Sequence, residues 1–393
     1  MEKTINKNMT KIGIYLCALL MMGAIAVASN LANIMAAFPE ESPTTIVAYM
    51  ISVPCMIVIP VTIITGKLMG QIAKKTLMIV GVILWLVGGV TPYCMDSLQM
   101  IFAMRCLFGV GLGMVQTLCA ALVVENFEDP EERDKTMGNM SASQMLGCII
   151  FSLVAGNLGQ ISWNVAFLVH LIAVISLVGA IVCLPYQKPV AISASGEKVK
   201  FTPTPSMWIW VVAILIYLTG GQTYANSASA IITEMNLGDS VAAGYSLAIF
   251  AVGGLLMGIA YGKVAKIFGK MTLSAGCVLM SCGYLLIVFA NGLAMSYLGA
   301  FFCGLSISMC LACIMNGSAG SVPLASSGMA VSIATCLQNV GMALCPYVVN
   351  AAGASIANGT GSFTTNQGAL LSGLVILMAL AIAFPLLQGR KKA

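Results

Sequence analysis

Apolar residues in this chain neither alternate nor recur every third or fourth position. They run on for about twenty residues at a time, and short polar stretches separate the runs. A run of that length spans a hydrocarbon core of about 30 Å as a helix. Six runs are predicted in the first half, at 12–37, 46–64, 77–93, 98–124, 137–158 and 164–184. Six more follow at 207–233, 241–261, 271–290, 295–315, 328–352 and 369–387. The stretch 185–206 holds Pro, Ser, Gly and Lys without a long apolar run, and reads as a linker. The predicted organisation is an N-terminal unit 1–184, a linker 185–206 and a C-terminal unit 207–393. The first run is too long for the apolar core of a cleaved signal peptide and is read as the first span.

Composition agrees with the pattern. Hydrophobic residues make up 59% and charged residues 8%, with mean hydropathy +0.98. Soluble domains carry roughly 25% charge, so a water-soluble globule is excluded. The positions of the charges then orient the chain. With a cytoplasmic N-terminus, every Lys and Arg except Arg105 falls on the cytoplasmic side, and the outer loops hold only Glu40, Glu41, Asp96, Glu234 and Asp239. Both basic termini share that side, which requires an even number of spans. The net charge of +5 is divided among these turns and tail, so no nucleic-acid partner is expected. The fourteen cysteines lie almost wholly inside apolar runs and read as small core residues. Cys310 and Cys313 form a C-x-x-C, but within a span and without a nearby His or carboxylate. No metal and no cofactor are expected.

One full charge, Arg105, stands inside the fourth run, in IFAMRCLFGVGLGMVQ. A buried charge costs about 3 kcal/mol on insertion scales, which makes it a functional candidate. Gln116 lies three turns further along the same helix face. All thirteen Asp and Glu fall at run ends or in loops, so a buried carboxylate proton carrier is missing from the pattern. His170, the one histidine, is read as a packing residue with a local hydrogen bond; proton coupling is the alternative role. Gly254, Gly258 and Gly262 form a small-residue ridge on the eighth run, read as a helix-packing surface.

The two halves repeat. GKLMGQIAKKTL at 66–77 aligns without gaps on GKVAKIFGKMTL at 262–273, half a chain later and at the same topological place. Gly66, Leu68, Lys74 and Lys75 match the 2–3 loop signature of the major facilitator superfamily, G-x-L-x-D-x-x-G-R-K, which the chain resembles over nearly its whole length. The chain departs from it at Gly70, where the family has Asp, and at Ala73, where it has Gly. The fourth-span signature R-x-x-x-G-x-G-x-G is matched in full by Arg105, Gly109, Gly111 and Gly113, and Glu132-Arg133 resembles the following loop.

This resemblance implies an all-α membrane protein: twelve transmembrane helices in two six-helix bundles, both termini cytoplasmic, in the cytoplasmic (inner) membrane. It implies a monomeric secondary transporter working by alternating access in the lipid bilayer, with a small-molecule substrate and a coupling proton as candidate partners. Spans 1, 4, 7 and 10 would surround the substrate, which makes Asn30, Asn33, Arg105, Gln116, Gln222, Tyr224 and Asn226 candidate contacts, with Ser306 and Ser308. Gln338, Asn339, Asn139 and Gln144 could complete the walls. Gly66, Lys74 and Lys75 would form the gating loop. Arg105 among amides and hydroxyls favours an anionic or neutral solute, a small carboxylate first. The alternative is a proton-coupled multidrug exporter. The span 5 signature of those exporters, G-x-x-x-G-P-x-x-G-G, is absent: Gly147 and Gly156 remain without a proline between them.

Overall fold

The structure, a computed structural model, describes residues 6–127, 129–187, 203–322 and 324–389. Lys3, the centre of the predicted linker (188–202) and the basic tail 390–393 lie outside the described residues. Among the described residues, all regular structure is helical. Eleven helical segments are long and apolar enough to cross a membrane. One of them, Ser240–Val288, is 49 residues long, more than twice what a bilayer needs. It holds two spans on either side of a turn at Gly269, whose φ of +51° an L side chain rarely adopts. Among the described residues the count is therefore twelve.

In the first half, span 1 begins at Lys7–Ala18 and span 2 is Pro43–Leu68. Span 3 is Lys74–Cys94, span 4 Leu98–Asn126 and span 6 Val165–Cys183; span 5 is the stretch Gly138–Leu158 of a longer helix, Pro130–Leu158, whose charged first turns precede it. In the second half, span 7 is Pro205–Glu234, span 8 Ser240–Phe268 and span 9 Thr272–Val288. Span 10 is Leu293–Gly320, span 11 Leu324–Thr360 and span 12 Thr365–Gly389. Three of the spanning helices start the same way, with a capping side chain followed by proline at the first helical position: Ser42-Pro43, Asp129-Pro130 and Thr204-Pro205. The side-chain oxygen accepts from an amide that has no intrahelical partner, and proline there loses no hydrogen bond.

Several spans are less regular than their apolar runs predict. Span 1 continues through a 3-10 stretch, Leu19–Met22, and a short helix, Ile25–Ala28, before Leu31–Ala37. The irregular part carries Gly23 and Ser29-Asn30, poor helix formers, and the amides of Gly23 and Asn30 donate three residues back, to Leu20 O and Val27 O, at 3.0 Å each. Span 6 opens as a 3-10 helix, Val165–Ile172. Span 7 is two helices, Pro205–Gly221 and Thr223–Glu234, broken at Gln222 after a Gly-Gly pair.

The chain divides into two compact units, residues 1–41 with 49–196, and residues 42–48 with 197–393. Each has the same internal pairing. In the first, span 4 packs on spans 2 and 3, span 1 on spans 5 and 6, and span 3 on span 6. In the second, span 10 packs on spans 8 and 9, span 7 on spans 11 and 12, and span 9 on span 12. The sequence repeat is thus a repeat of packing. The first unit's core gathers around Trp85, Phe108 and Phe151, all fully buried. Large apolar side chains such as Ile175, Val182, Val375 and Ile382 stand more than half exposed, as lipid-facing residues do.

Candidate functional site

Arg105 is fully buried in the first unit, and a proline explains what it does there. Pro54 in span 2 has no N–H to give the carbonyl four residues back, so the ladder leaves Met50 O without its donor. A π-helical turn, Ala48–Ser52, marks the same place. The Arg105 guanidinium supplies the missing donors, Nε at 3.1 Å and Nη2 at 2.8 Å from Met50 O. Its Cζ lies 4.1 Å from the Phe108 ring centroid, a cation–π contact. Nη1 is buried without a partner.

The glycines of the span 4 signature let this happen. Gly109 and Gly113 follow Arg105 at intervals of four and so face span 2. A Cβ at Gly109 would lie 2.9 Å from Pro54 Cα, and one at Gly113 would lie 3.0 Å from Val61 Cβ. Gly111 points elsewhere, onto span 3, where a Cβ would meet Gly81 O and Trp85 Cα at 2.6 Å each. Arg105 and two glycines thus bind span 4 to span 2, while the third glycine binds it to span 3.

His170 sits in the same core. Its Nδ1 donates to Phe167 O at 2.8 Å, and its Nε2 is buried without a hydrogen-bond partner. Trp85, Phe108, Phe151 and Phe167 surround it, with ring centroids at 5.1, 5.5, 6.4 and 6.2 Å.

Asn30 and Asn33 both serve the turn between spans 5 and 6. Asn30 Nδ2 donates to Trp163 O at 2.8 Å, and Asn33 Nδ2 donates to Asn30 Oδ1 at 2.7 Å and to Gly159 O at 3.0 Å. Asn139 donates to the Tyr15 hydroxyl at 3.3 Å. Gln116 and Gln144 are half-buried, and their side chains make no hydrogen bond among the described residues.

At the opposite end of this unit the 2–3 turn is tied down on both sides. Lys74 pairs with Glu125 at the end of span 4, 2.6 Å apart, and Lys75 donates to Leu184 O at the end of span 6 at 2.8 Å. A cation on the last carbonyls of a helix also meets the negative end of its dipole. Gly66 faces open space. Nearby, Lys7 and Lys11 of span 1 both pair with Glu132 at the start of the span 5 helix, at 2.9 and 2.7 Å. The hydrogen bonds from Lys11 and Lys7 hold the Glu132 carboxyl below the usual carboxylate range.

In the second unit the polar residues cluster on span 7. Gln222 and Asn226 lie one turn apart on one face, and Tyr224 lies on the opposite face. Tyr224 is committed to its own bundle: its hydroxyl bonds Ser246 of span 8, and its ring lies 6.1 Å from Phe250. Asn226 is only 4% exposed; its amide faces the Cys345 thiol, a weak hydrogen-bonding group, and no nitrogen or oxygen pairs with its Oδ1 or Nδ2. Gln222 is 8% exposed and its side chain likewise makes no hydrogen bond among the described residues. Two amides one turn apart therefore present donors and acceptors without a nitrogen or oxygen partner. Ser306 is occupied, bonded to Tyr217 Oη at 3.0 Å and donating to Gly276 O at 2.6 Å. Asn339 donates back to Thr335 O at 3.0 Å, whereas Gln338 and Ser308 are half-buried. Among the described residues no three His, Cys, Asp or Glu side chains converge as metal ligands do.

Other proteins share this architecture. The fold matches a nucleoside transporter, NupG, at TM-score 0.76 and 12% identity, covering 95% of this chain and 98% of that one. It matches a D-xylose–proton symporter at TM-score 0.78 and 13% identity, covering 95% and 97%. A peptide transporter, POT, matches at TM-score 0.72 and 15% identity, covering 96% and 95%. No curated protein matches the sequence itself. The sequence does match the description of the Major Facilitator Superfamily over residues 12–346, most of the chain. With twelve apolar spans in two repeated six-helix units, the chain is an integral, multi-pass membrane protein and belongs to the major facilitator superfamily of secondary transporters.

Proposed function

We propose that this transporter moves a small, neutral, polar organic solute across the cytoplasmic membrane by alternating access, and that Gln222 and Asn226 on the broken span 7 bind it. The carrying observation is Asn226: a buried amide whose donor and acceptor meet nothing stronger than a thiol. Leaving such a group unmatched costs about 1–3 kcal/mol, so a solute that matches it gains that much in binding. A side-chain amide is complementary to a group offering a donor beside an acceptor, such as a pair of hydroxyls or another amide. No charged side chain lies on this face of span 7 between Gln222 and Glu234.

The sequence allows an anionic or a neutral solute, and the anionic reading depends on a guanidinium available to bind a carboxylate. Arg105 spends Nε and Nη2 on Met50 O. The unmatched Nη1 keeps a second reading in play, in which a small carboxylate approaches that nitrogen.

A thermal-shift screen on purified protein separates the two, with sugars, nucleosides and amides in one panel and organic acids in the other. The neutral reading expects stabilisation by members of the first panel, lost in Asn226→Ala and kept in Arg105→Lys. Stabilisation by acids alone, lost in Arg105→Lys and kept in Asn226→Ala, would establish the anionic reading instead.

A further inference from the structure

Span 7 is interrupted by one residue, Gln222, between two helical runs. A break of this kind interrupts the backbone hydrogen-bond ladder on both sides of Gln222, Gly221 O included. In a bilayer a carbonyl released in this way needs another donor. The donor comes from span 9. The Tyr284 hydroxyl lies 2.8 Å from Gly220 O and 2.9 Å from Gly221 O, and the Tyr224 N–H faces the same hydroxyl. Thr223 Oγ1 also donates to Gly220 O, at 2.7 Å. Span 12 closes the arrangement from the other side: a Cβ at Gly373 would lie 2.8 Å from Gly220 O, 3.0 Å from Thr223 Oγ1 and 3.1 Å from Tyr284 Cε2.

We infer that Tyr284 is a positioning residue: its hydroxyl occupies the gap in span 7 and fixes the rotation at which the next turn presents Gln222 and Asn226. The side chain is fully buried, so no water competes for the two carbonyls. The inference takes from the proposed function only the role of Gln222 and Asn226. The pin itself is a property of the second unit and can be measured without any solute.

The test is amide hydrogen exchange, read by mass spectrometry on full-length protein in detergent without added ligand. Tyr284→Phe keeps the ring and removes the hydroxyl. The expected result is exchange at least tenfold faster over residues 222–228, with spans 9 and 12 unchanged. Tyr217→Phe is the control. It removes another fully buried hydroxyl from span 7, one bonded to Ser306 rather than to the break, and should leave 222–228 as in the wild type. Gly373→Ala keeps the hydroxyl but crowds it, and should speed exchange severalfold over the same residues, so the inference can be read even if Tyr284→Phe folds poorly. Unchanged or slower exchange at 222–228 in both variants, or a rise spread evenly over the unit, overturns the inference. Because no solute is present, a failure here leaves the solute reading standing, and a failed solute screen leaves the pin standing.

Discussion

Alanine in place of glycine should have opposite effects at two positions of the first unit. At Gly111 a new Cβ would meet span 3 backbone, with Gly81 O and Trp85 Cα each at 2.6 Å. Carbon–carbon contacts settle near 3.5–4.0 Å, so spans 3 and 4 would have to separate by about 1 Å. Backbone cannot rotate aside as a side chain can. Overpacking of this kind costs about 1–3 kcal/mol, and the separation also loosens Trp85 against Phe108, whose rings now lie 5.0 Å apart. The gain in helix propensity, about 1 kcal/mol, recovers only part of it. At Gly66 a Cβ would meet nothing within 4 Å, and the residue lies inside the helix Val53–Leu68. There the propensity gain stands alone, at about 0.5–1 kcal/mol. Thermal unfolding of the two variants in one detergent measures the difference. Gly111→Ala should melt below the wild type and Gly66→Ala above it. A Gly111→Ala protein as stable as Gly66→Ala would refute the close approach of spans 3 and 4 at this glycine.

Arg105 and Pro54 should be coupled through Met50 O. In a double-mutant cycle of Arg105→Met and Pro54→Ala, the restored amide offsets the lost guanidinium, with a coupling of about 1–2 kcal/mol. Additive unfolding energies would show that the carbonyl is not what Arg105 serves. Lys74 and Glu125 are a partly exposed pair, so either charge reversal alone should cost no more than about 1 kcal/mol, with recovery in the double swap. Failure of the swap to recover stability would remove the pair from the account. Glu132 has its pKa depressed in the folded protein, so its contribution is present above the unfolded carboxyl pKa and lost as pH falls through the folded one. Proteolysis at the start of span 1 should accelerate in that acid range and become pH-independent there in Glu132→Gln.

The fold was largely legible in the sequence, because a bilayer requires long apolar helices and little else satisfies buried backbone. Run length gave the spans, and the paired turns at Gly66 and Gly262 gave the repeat. The breaks in spans 1 and 7 were harder. Hydropathy is blind to a missing backbone hydrogen bond, although the Gly-Gly-Gln at 220–222 is a signal that a breaker search could have weighed. The site was legible only in part. Arg105 stood out as a buried charge, but its partner is a carbonyl, and only Pro54, 51 positions earlier, hints that this carbonyl lacks a donor. Asn30, Asn33 and Tyr224 look like Asn226 in a sequence. They differ in whether a neighbouring turn or helix supplies their hydrogen bonds, which depends on packing that no single helix reveals. The ridge at Gly254, Gly258 and Gly262 divides in the same way. Gly254 N lies 3.1 Å from where a Cβ on Gly304 of span 10 would be, while Gly258 and Gly262 face open space. Tyr284 carried no sequence signal, since a lone tyrosine in an apolar run reads as packing.

Solute counterflow in proteoliposomes tests the central claim most directly, with wild type, Asn226→Ala and Arg105→Lys compared side by side. Losing the two hydrogen bonds of the Asn226 amide should cost about 1–3 kcal/mol, roughly a 5- to 150-fold rise in the solute concentration needed for half-maximal exchange. The account predicts exchange of a neutral solute rich in hydroxyl or amide groups, weakened by that factor in Asn226→Ala and within a fewfold of wild type in Arg105→Lys. Exchange confined to carboxylates, lost in Arg105→Lys and untouched in Asn226→Ala, would contradict it.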